Sequence, residues 1–274
     1  MNMDATTSGA VPIRAVARAL EVLKTISRLG SPTILEIKEA CRLPYATAYR
    51  MVMTLLSEGY IECEPSRKRY RPTELVWSLV SGFQRDDVLV VNAREELVHL
   101  TSRVLWPVAL SVRIGNKMII KDSTHPLTTQ TFSNYYPGYS MPLFECGAGK
   151  AYVAFCPTEE RERLFEAEKI FPADENDFLQ AHQIIHDETY IEQIRRQGYA
   201  THARAQHNET PGKTSTIAVP VHVNGNLRAC LGLVYFDKAM TMQDATARYA
   251  DLLKDAASRI GSKVAAAEMN SAIP

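Results

Sequence analysis

The stretch "LPYATAYRMVMTLLSEGYIE", Leu43 to Glu62, decides how the N-terminal part of the chain is read. Ala48, Met51, Val52, Leu55 and Leu56 recur at i, i+3, i+4, i+7 and i+8, one apolar stripe of an amphipathic helix over about Tyr45 to Glu58. Pro44 suits the mouth of that helix and Gly59 its end. Burial needs only this stripe. Tyr45, Ala46, Thr47, Tyr49 and Arg50 lie off it, and Tyr, Thr and Arg are residue types that touch phosphates and base edges. A polar helix face is ordinarily plain surface, so the neighbouring segments have to decide.

Upstream, Val16, Ala19, Leu20, Leu23 and Ile26 mark a helix over 15–29, broken by Gly30-Ser31-Pro32. A short helix from about Ile34 to Cys41 buries Ile34, Ile37 and Cys41. Downstream come two extended pieces, Tyr60–Glu64 and Arg69–Arg71, joined by Pro65-Ser66-Arg67-Lys68. "SRKRYRPT" packs Arg67, Lys68, Arg69 and Arg71 together with no acid; alone it reads as a solvated loop. A fourth helix over Thr73–Gln84 presents Val76, Leu79, Val80 and Phe83. Three helices followed by a basic hairpin is the order of a winged helix-turn-helix. The coincidence of polar helix face and basic hairpin favours double-stranded operator DNA as partner. The second helix of the pair enters the major groove, and Arg67, Lys68 and Arg69 of the hairpin sit over phosphates.

The chain has 274 residues and no net charge, room for two domains. Residues 1–84 carry 11 Lys+Arg against 8 Asp+Glu, a net of +3; residues 85–274 carry 20 against 23, a net of −3. No apolar run of about 18 residues is present, so no membrane span is expected. Residues 1–12 read as a flexible tail without a signal-peptide core. The five cysteines, Cys41, Cys63, Cys146, Cys156 and Cys230, form no CxxC pair. They predict reduced thiols in the cytoplasm and no metal cluster.

A second unit starts near Asp86. A helix from about Val88 to Val104 has Val91, Leu97, Leu100 and Val104 on a stripe and links the units over 85–105. Beyond Trp106-Pro107 the pattern alternates. Hairpins are predicted around Gly115-Asn116 and around Asn224-Gly225. Leu227–Phe236 is nearly all apolar, as suits a central strand covered on both faces. A last helix opens on Thr241-x-x-Asp244 and buries Tyr249, Leu252, Leu253, Ala256 and Ile260. The fold class is α+β, the second unit an α/β domain on an antiparallel sheet.

"RALEVLKTIS", "LPYATAYRMVMTLLSEGYI", "MPLFECGAGKAYVAF" and "IAVPV" stand in the order of the IclR-type bacterial transcription regulators, which the chain resembles over nearly its whole length. "LWPVALSV", "FECGAGKAYVAFCP" and "ACLGLVYFDKAMT" resemble the branch controlling catabolism of hydroxyphenylpropionate and related aromatic acids. The resemblance implies a winged-helix DNA-binding domain over 13–84 and a GAF-like effector domain over 106–268, in a dimer or dimer of dimers with no cofactor. Tyr45-Ala46-Thr47 departs from the basic residue and serine common there, implying a different operator contact. The implied effector pocket maps onto Met141, Gly147, Ala148, Thr216, Leu233 and Tyr235, with Gln206 also considered and Trp106 a further wall. Relatives that bind small hydrophilic acids tend to carry serines at Leu233 and Tyr235, a cysteine at Thr216 and an aspartate at Gln206. The replacements here imply a larger, more apolar ligand.

Cys146-Gly147-Ala148-Gly149-Lys150 is expected to open a helix through Phe155. A helix start offers free N–H groups to an anion, so an aromatic carboxylic acid with its carboxylate at Gly147-Ala148 is expected; glycines that serve packing alone are the other reading. "GAGK" is no phosphate loop: Phe144 occupies the first glycine position and Ala151 the Ser/Thr position. His182 and His186 are spaced like a metal pair but lack a third ligand nearby, and read as surface. His125 and Arg113 are open between ligand contact and structure. An enzyme using Cys146 as nucleophile lacks a base at a recognisable spacing. A sensor acting only through protein partners is the third reading, and the basic hairpin argues against it.

Overall fold

The computed structural model describes residues 13–79, 88–130, 135–170, 184, 187–206 and 211–271. Two compact units divide at Arg85/Asp86. The first comprises α1 (Arg14–Leu29), α2 (Ile34–Ala40), α3 (Tyr45–Ser57), the antiparallel pair β1 (Ile61–Glu64) and β2 (Arg69–Pro72), and α4 (Leu75–Ser78). Its core joins Val22, Leu23 and Ile26 with Ile37, Val52, Leu55, Ile61 and Tyr70. The buried stripe of α1 is rotated from the expected one: Val22 and Thr25 are inside, while Val16 and Leu20 are 55% and 52% exposed. A capping box starts α2: Thr33 N–H donates to Glu36 Oε2 (2.6 Å) and Glu36 N–H to Thr33 Oγ1 (3.3 Å). The expected helix over 73–84 is helical over Leu75–Ser78; Val80 and Phe83 lie outside the described residues.

The hairpin is fastened to the helices by its own second strand. Tyr70 N–H donates to the Pro32 carbonyl (2.8 Å), and Arg69 bridges Thr33. Arg69 Nη1 donates to the Ser31 carbonyl (2.5 Å) and lies 3.4 Å from Glu36 Oε2. The wing thereby holds the α1–α2 turn.

The second unit opens with α5 (Val88–Val104) and is built on β3 (Val108–Ile114), β4 (Lys117–Ser123), β5 (Ser140–Pro142), β6 (Ala200–His202), β7 (Thr214–Val223) and β8 (Asn226–Phe236). These form one antiparallel sheet in the order β5-β4-β3-β8-β7-β6. The helices are α6 (Gly147–Phe155), α7 (Thr158–Ile170), α8 (Glu188–Gln197) and α9 (Met242–Ser271). Asn224 and Gly225 both have positive φ, 50° and 78°, as a tight two-residue hairpin turn demands.

Both faces of the sheet are covered, which explains the apolar run of β8. Leu231, Leu233 and Tyr235 pack with Leu110, Ile217 and Val219 under α5 and α9. Cys230 and Ala218 pack with Ala151, Val153, Ile191 and Ile194 under α6 and α8. On α5 the buried face is Leu89, Ala93, Glu96, Leu97, Leu100, Thr101 and Val104. Val91 is 63% exposed, because two residues from Leu89 is more than half a helical turn. The helix expected as a linker thus spends its apolar face inside the second unit. Glu96 is buried against α9, where Arg259 (2.8 Å) and Lys263 (2.9 Å) meet its carboxylate. Burial raises its pKa, but those two cations outweigh it and the net shift is downward.

Gly261 of α9 lies against β7, where an added Cβ would stand 2.1 Å from the His222 carbonyl oxygen. In an open helix Gly→Ala stabilises by about 1 kcal/mol. Here the clash with backbone reverses the sign, so Gly261→Ala is expected to destabilise by about 1–3 kcal/mol in denaturant unfolding. A more stable variant would show that α9 and β7 are not in this contact.

Candidate functional site

Two surfaces gather the residues that the sequence singled out. On α3, Ala48, Val52 and Leu55 are buried, while Tyr45, Ala46, Tyr49 and Arg50 are exposed and Thr47 is half-buried. The Tyr45 and Tyr49 rings stack at 6.2 Å and 16°, and are 50% and 44% exposed. Arg50 has no side-chain partner among the described residues. Pro44 caps α3 through its carbonyl, which accepts from Thr47 and Ala48 N–H; Tyr45 and Ala46 N–H remain open at a helix start that has no acid in its first turn.

The wing's cations are not equivalent. Lys68, in the left-handed region at φ 48°, has no side-chain partner among the described residues. Arg67 lies 3.9 Å from Glu64 in a solvent-exposed pair, worth little. Arg71 is tied to Glu62 (2.5 Å) across the hairpin. Arg69, grouped with Arg67 and Lys68 from the sequence, is held by Ser31 and Glu36 instead.

The second surface is a cavity on the α6 face of the sheet. Two adjoining hollows, of about 20 and 30 Å³, share Tyr135, Met141, Cys146 and Thr216. The inner one adds Ser111, Ile120, Gly147, Ala148 and Val234; the outer adds Tyr139, Glu145, His202 and Ala205. Cys146 is the N-cap of α6, its sulfur accepting from Gly149 N–H (3.3 Å). Gly147 N–H finds no acceptor among the described residues, while Ala148 N–H, like that of Gly149, turns toward the Cys146 sulfur. Thr216 Oγ1 is buried without a hydrogen-bond partner there. The glycines also serve packing: a Cβ on Gly147 would meet Thr216 Oγ1 at 2.5 Å, and one on Gly149 the Leu143 carbonyl oxygen at 1.7 Å.

Met141, Gly147, Ala148 and Thr216 therefore converge. Leu233, Tyr235 and Trp106 do not join them; all three lie in the core under α5 and α9. Trp106 packs edge-on against Tyr235 (6.3 Å) and Phe236 (5.5 Å). Alternation along β8 gives the pocket Gly232 and Val234 instead, and a one-residue slip in register changes the face of every side chain. Gln206 turns back onto its own loop, donating to the Arg204 carbonyl (2.9 Å). Arg113 is structural, 3.0 Å from Glu160 and over the Tyr152 ring. His125 sits in a short 3₁₀ turn outside the cavity, with its pKa lowered by burial. His182 and His186 lie outside the described residues. Ser111, Tyr135, Tyr139 and Val234 were missed; Gly232, which interrupts the apolar run of β8 and leaves room on that face, was the available sign.

A family model for the "Bacterial transcriptional regulator IclR C-terminal" matches residues 86–262, and one for the "IclR helix-turn-helix domain" matches 15–65. The chain belongs to the IclR family. It is a transcriptional regulator, not an enzyme. Among curated relatives, the regulator TsaQ1/TsaQ2 of Comamonas testosteroni is 27% identical over 163 residues, 58% of each chain. BhcR of Paracoccus denitrificans is 24% identical over 85% of this chain and 80% of its own. The IclR of Thermotoga maritima shares the fold at a TM-score of 0.63 and 22% identity, covering 93% of this chain and 100% of that one. An IclR homolog from Microbacterium hydrocarbonoxydans, solved with 4-hydroxybenzoate, has a TM-score of 0.61 and 21% identity over 92% and 99%. No described helix is long and apolar enough to cross a membrane, and no three metal-ligating residues cluster among the described residues.

Cys146 is unsuited to nucleophilic work. Burial pushes its thiol up to about 11, against a weaker opposing pull from the Gly149 N–H. Cys156 is likewise pushed to about 11 by burial, and Cys230 higher still. A thiol reagent at pH 8 is expected to leave all three unmodified in the native chain and to modify them after denaturation. Rapid native labelling of Cys146 would contradict its burial at the α6 N-cap.

Proposed function

We propose that this chain is an effector-responsive regulator of an aromatic-acid catabolic operon, working in the cytoplasm as a homo-oligomer. The α3 face of Tyr45, Ala46, Thr47, Tyr49 and Arg50 enters the major groove of operator DNA, and the open N–H groups of Tyr45 and Ala46 meet a phosphate. The wing adds Arg67 and Lys68 over the backbone. Exposed Val16 and Leu20 on α1 offer apolar surface that a second copy can cover, in a dimer or dimer of dimers.

The effector is an aromatic carboxylic acid of one or two rings. The observation that carries this reading is the meeting, at one small hollow that a ring has to widen, of the N–H groups of a helix start with a wall of Met141, Tyr135, Ile120 and Val234. The carboxylate takes the Gly147 and Ala148 N–H groups, the ring packs on that wall, and the Thr216 hydroxyl, Glu145 and His202 supply partners for ring substituents. That a homolog binds 4-hydroxybenzoate supports the class of ligand. The effector acts by binding the DNA-competent and DNA-incompetent conformations unequally.

Arg50→Ala is expected to cost about 1–3 kcal/mol in operator affinity without loss of thermal stability, measured by titration against the DNA upstream of the chain's own gene. Unchanged affinity would remove α3 from the groove. Neutralising Arg67 and Lys68 together is expected to lower the slope of log affinity against log salt by roughly two units, as each phosphate contact contributes about one. Arg69→Gln, by contrast, is expected to destabilise the fold, since it strips the wing of its anchor. A double neutralisation that keeps the parent slope would place the wing in solvent. For the effector, calorimetry against aromatic acids, with glyoxylate and pyruvate as controls, is expected to show binding only of the former. Ala148→Leu is expected to abolish it and leave DNA binding in place. Binding of the small keto acids alone would overturn the assignment.

A further inference from the structure

Side chains two apart on a regular strand share a face. Ile120 and Asp122 of β4 do not. Ser111 pairs with Ile120, but its neighbour Leu110 pairs with Asp122, so Lys121 is an extra residue, a β-bulge. Directly paired residues lie on the same side of a sheet. Ser111 and Ile120 line the inner hollow, whereas Leu110 belongs to the core under α5 and α9. Across the bulge, β4 passes from the pocket wall to the α5 face within two residues.

Asp122 meets α5 there. Its Oδ1 accepts from Arg94 Nη1 (2.9 Å) and from Ser123 N–H (2.8 Å), and the same Nη1 donates to the Ser123 carbonyl (3.1 Å). Oδ2 is buried with no hydrogen-bond partner, and Arg94 is the one counter-charge on this carboxylate, among the described residues. Farther along α5, the Thr101 hydroxyl lies 2.6 Å from that of Thr124. Arg94 and Thr101 are two turns apart on one helix face, and both grip the segment just past the bulge. On the pocket side, Ile120 N–H donates to the Tyr139 carbonyl (2.9 Å) and Gly138 N–H to the Ile120 carbonyl (2.7 Å), tying the same residue to the segment that roofs the cavity. Helix α5 is the first element of its unit, so its N-terminal end continues into the chain of the DNA-binding unit.

We infer that the Lys121 bulge and the Arg94–Asp122 pair transmit pocket occupancy to α5, an inference that rests on the effector reading above. The core between the sheet and α5 is packed, and a packed core shifts between discrete arrangements rather than deforming smoothly. The bulge is where the β3–β4 ladder is interrupted. A ligand ring pressing on Ile120 or Ser111 is accommodated at that interruption, which moves Asp122 and, through Arg94, α5. Arg94 is a positioning residue: it touches no ligand and no DNA.

The test uses the full chain, upstream DNA and 4-hydroxybenzoate as probe. In the parent, the acid is expected to change DNA affinity by about fivefold or more. In Arg94→Met that ratio is expected to fall to within about twofold of unity, with the acid's binding retained; Arg94→Lys, which keeps the charge, is expected to retain part of it. A merely structural pair would alter stability and leave the ratio alone, so a parental ratio in Arg94→Met overturns the inference. If the parent binds none of the aromatic acids, the effector reading fails instead. The bulge is then tested without ligand, by hydrogen exchange of the α5 amides in Ile120→Val. Altered exchange that vanishes when Arg94→Met is added supports transmission, and exchange indifferent to Ile120→Val overturns it.

Discussion

The period of two along β8 is the constraint on which the second unit depends. The strand lies at the middle of the sheet and must satisfy two cores at once. Leu231, Leu233 and Tyr235 go to the helices α5 and α9; Cys230, Gly232 and Val234 go to the side of α6. Large residues on one face of β8 and smaller ones on the other leave a hollow beside β8 on the α6 side. A well-packed face shifts between discrete arrangements rather than deforming smoothly, so the α5 side answers a change at the pocket wall as a unit. The bulge in β4 is the one place in the β3–β4 ladder where that alternation is broken, and it aims Asp122 at α5.

In the DNA-binding unit the comparable economy is one of charge. The wing has four cations in close sequence, but two of them hold the fold: Arg69 bonds the α1–α2 turn and Arg71 pairs across the hairpin. Only Lys68, and Arg67 through a loose exposed pair, remain for phosphates. The recognition helix follows the same division. Its buried stripe is fully committed to the core, and Arg50 is left without a partner. A cation that makes no contact within its own unit loses only hydration when it meets DNA, whereas Arg69 would first have to abandon a carbonyl and a carboxylate.

Much of this was legible in the sequence, because it rested on periodicity and turn chemistry. The stripe of α3, the wing hairpin, the Asn224-Gly225 turn, the Thr241–Asp244 cap and the start of α6 at Cys146 all follow from local rules. What was misread depended on which way an apolar residue faces when both sides of an element are buried. Leu233 and Tyr235 look as much like pocket wall as Val234 does, since an apolar run carries no polar marks to set its register. Val91, Val16 and Leu20 failed for the related reason that apolar residues also occur on exposed faces. The roles of Arg69 and Asp122 could not be read locally at all, since their partners Glu36 and Arg94 are 33 and 28 residues away.

The proposed linkage between the α6 cavity and the DNA face is reciprocal. The most direct measurement is calorimetric titration of 4-hydroxybenzoate into the full chain, alone and saturated with its upstream DNA. DNA is expected to change the acid's affinity by the same factor by which the acid changes the affinity for DNA. Equal affinity for the acid with and without bound DNA would contradict it.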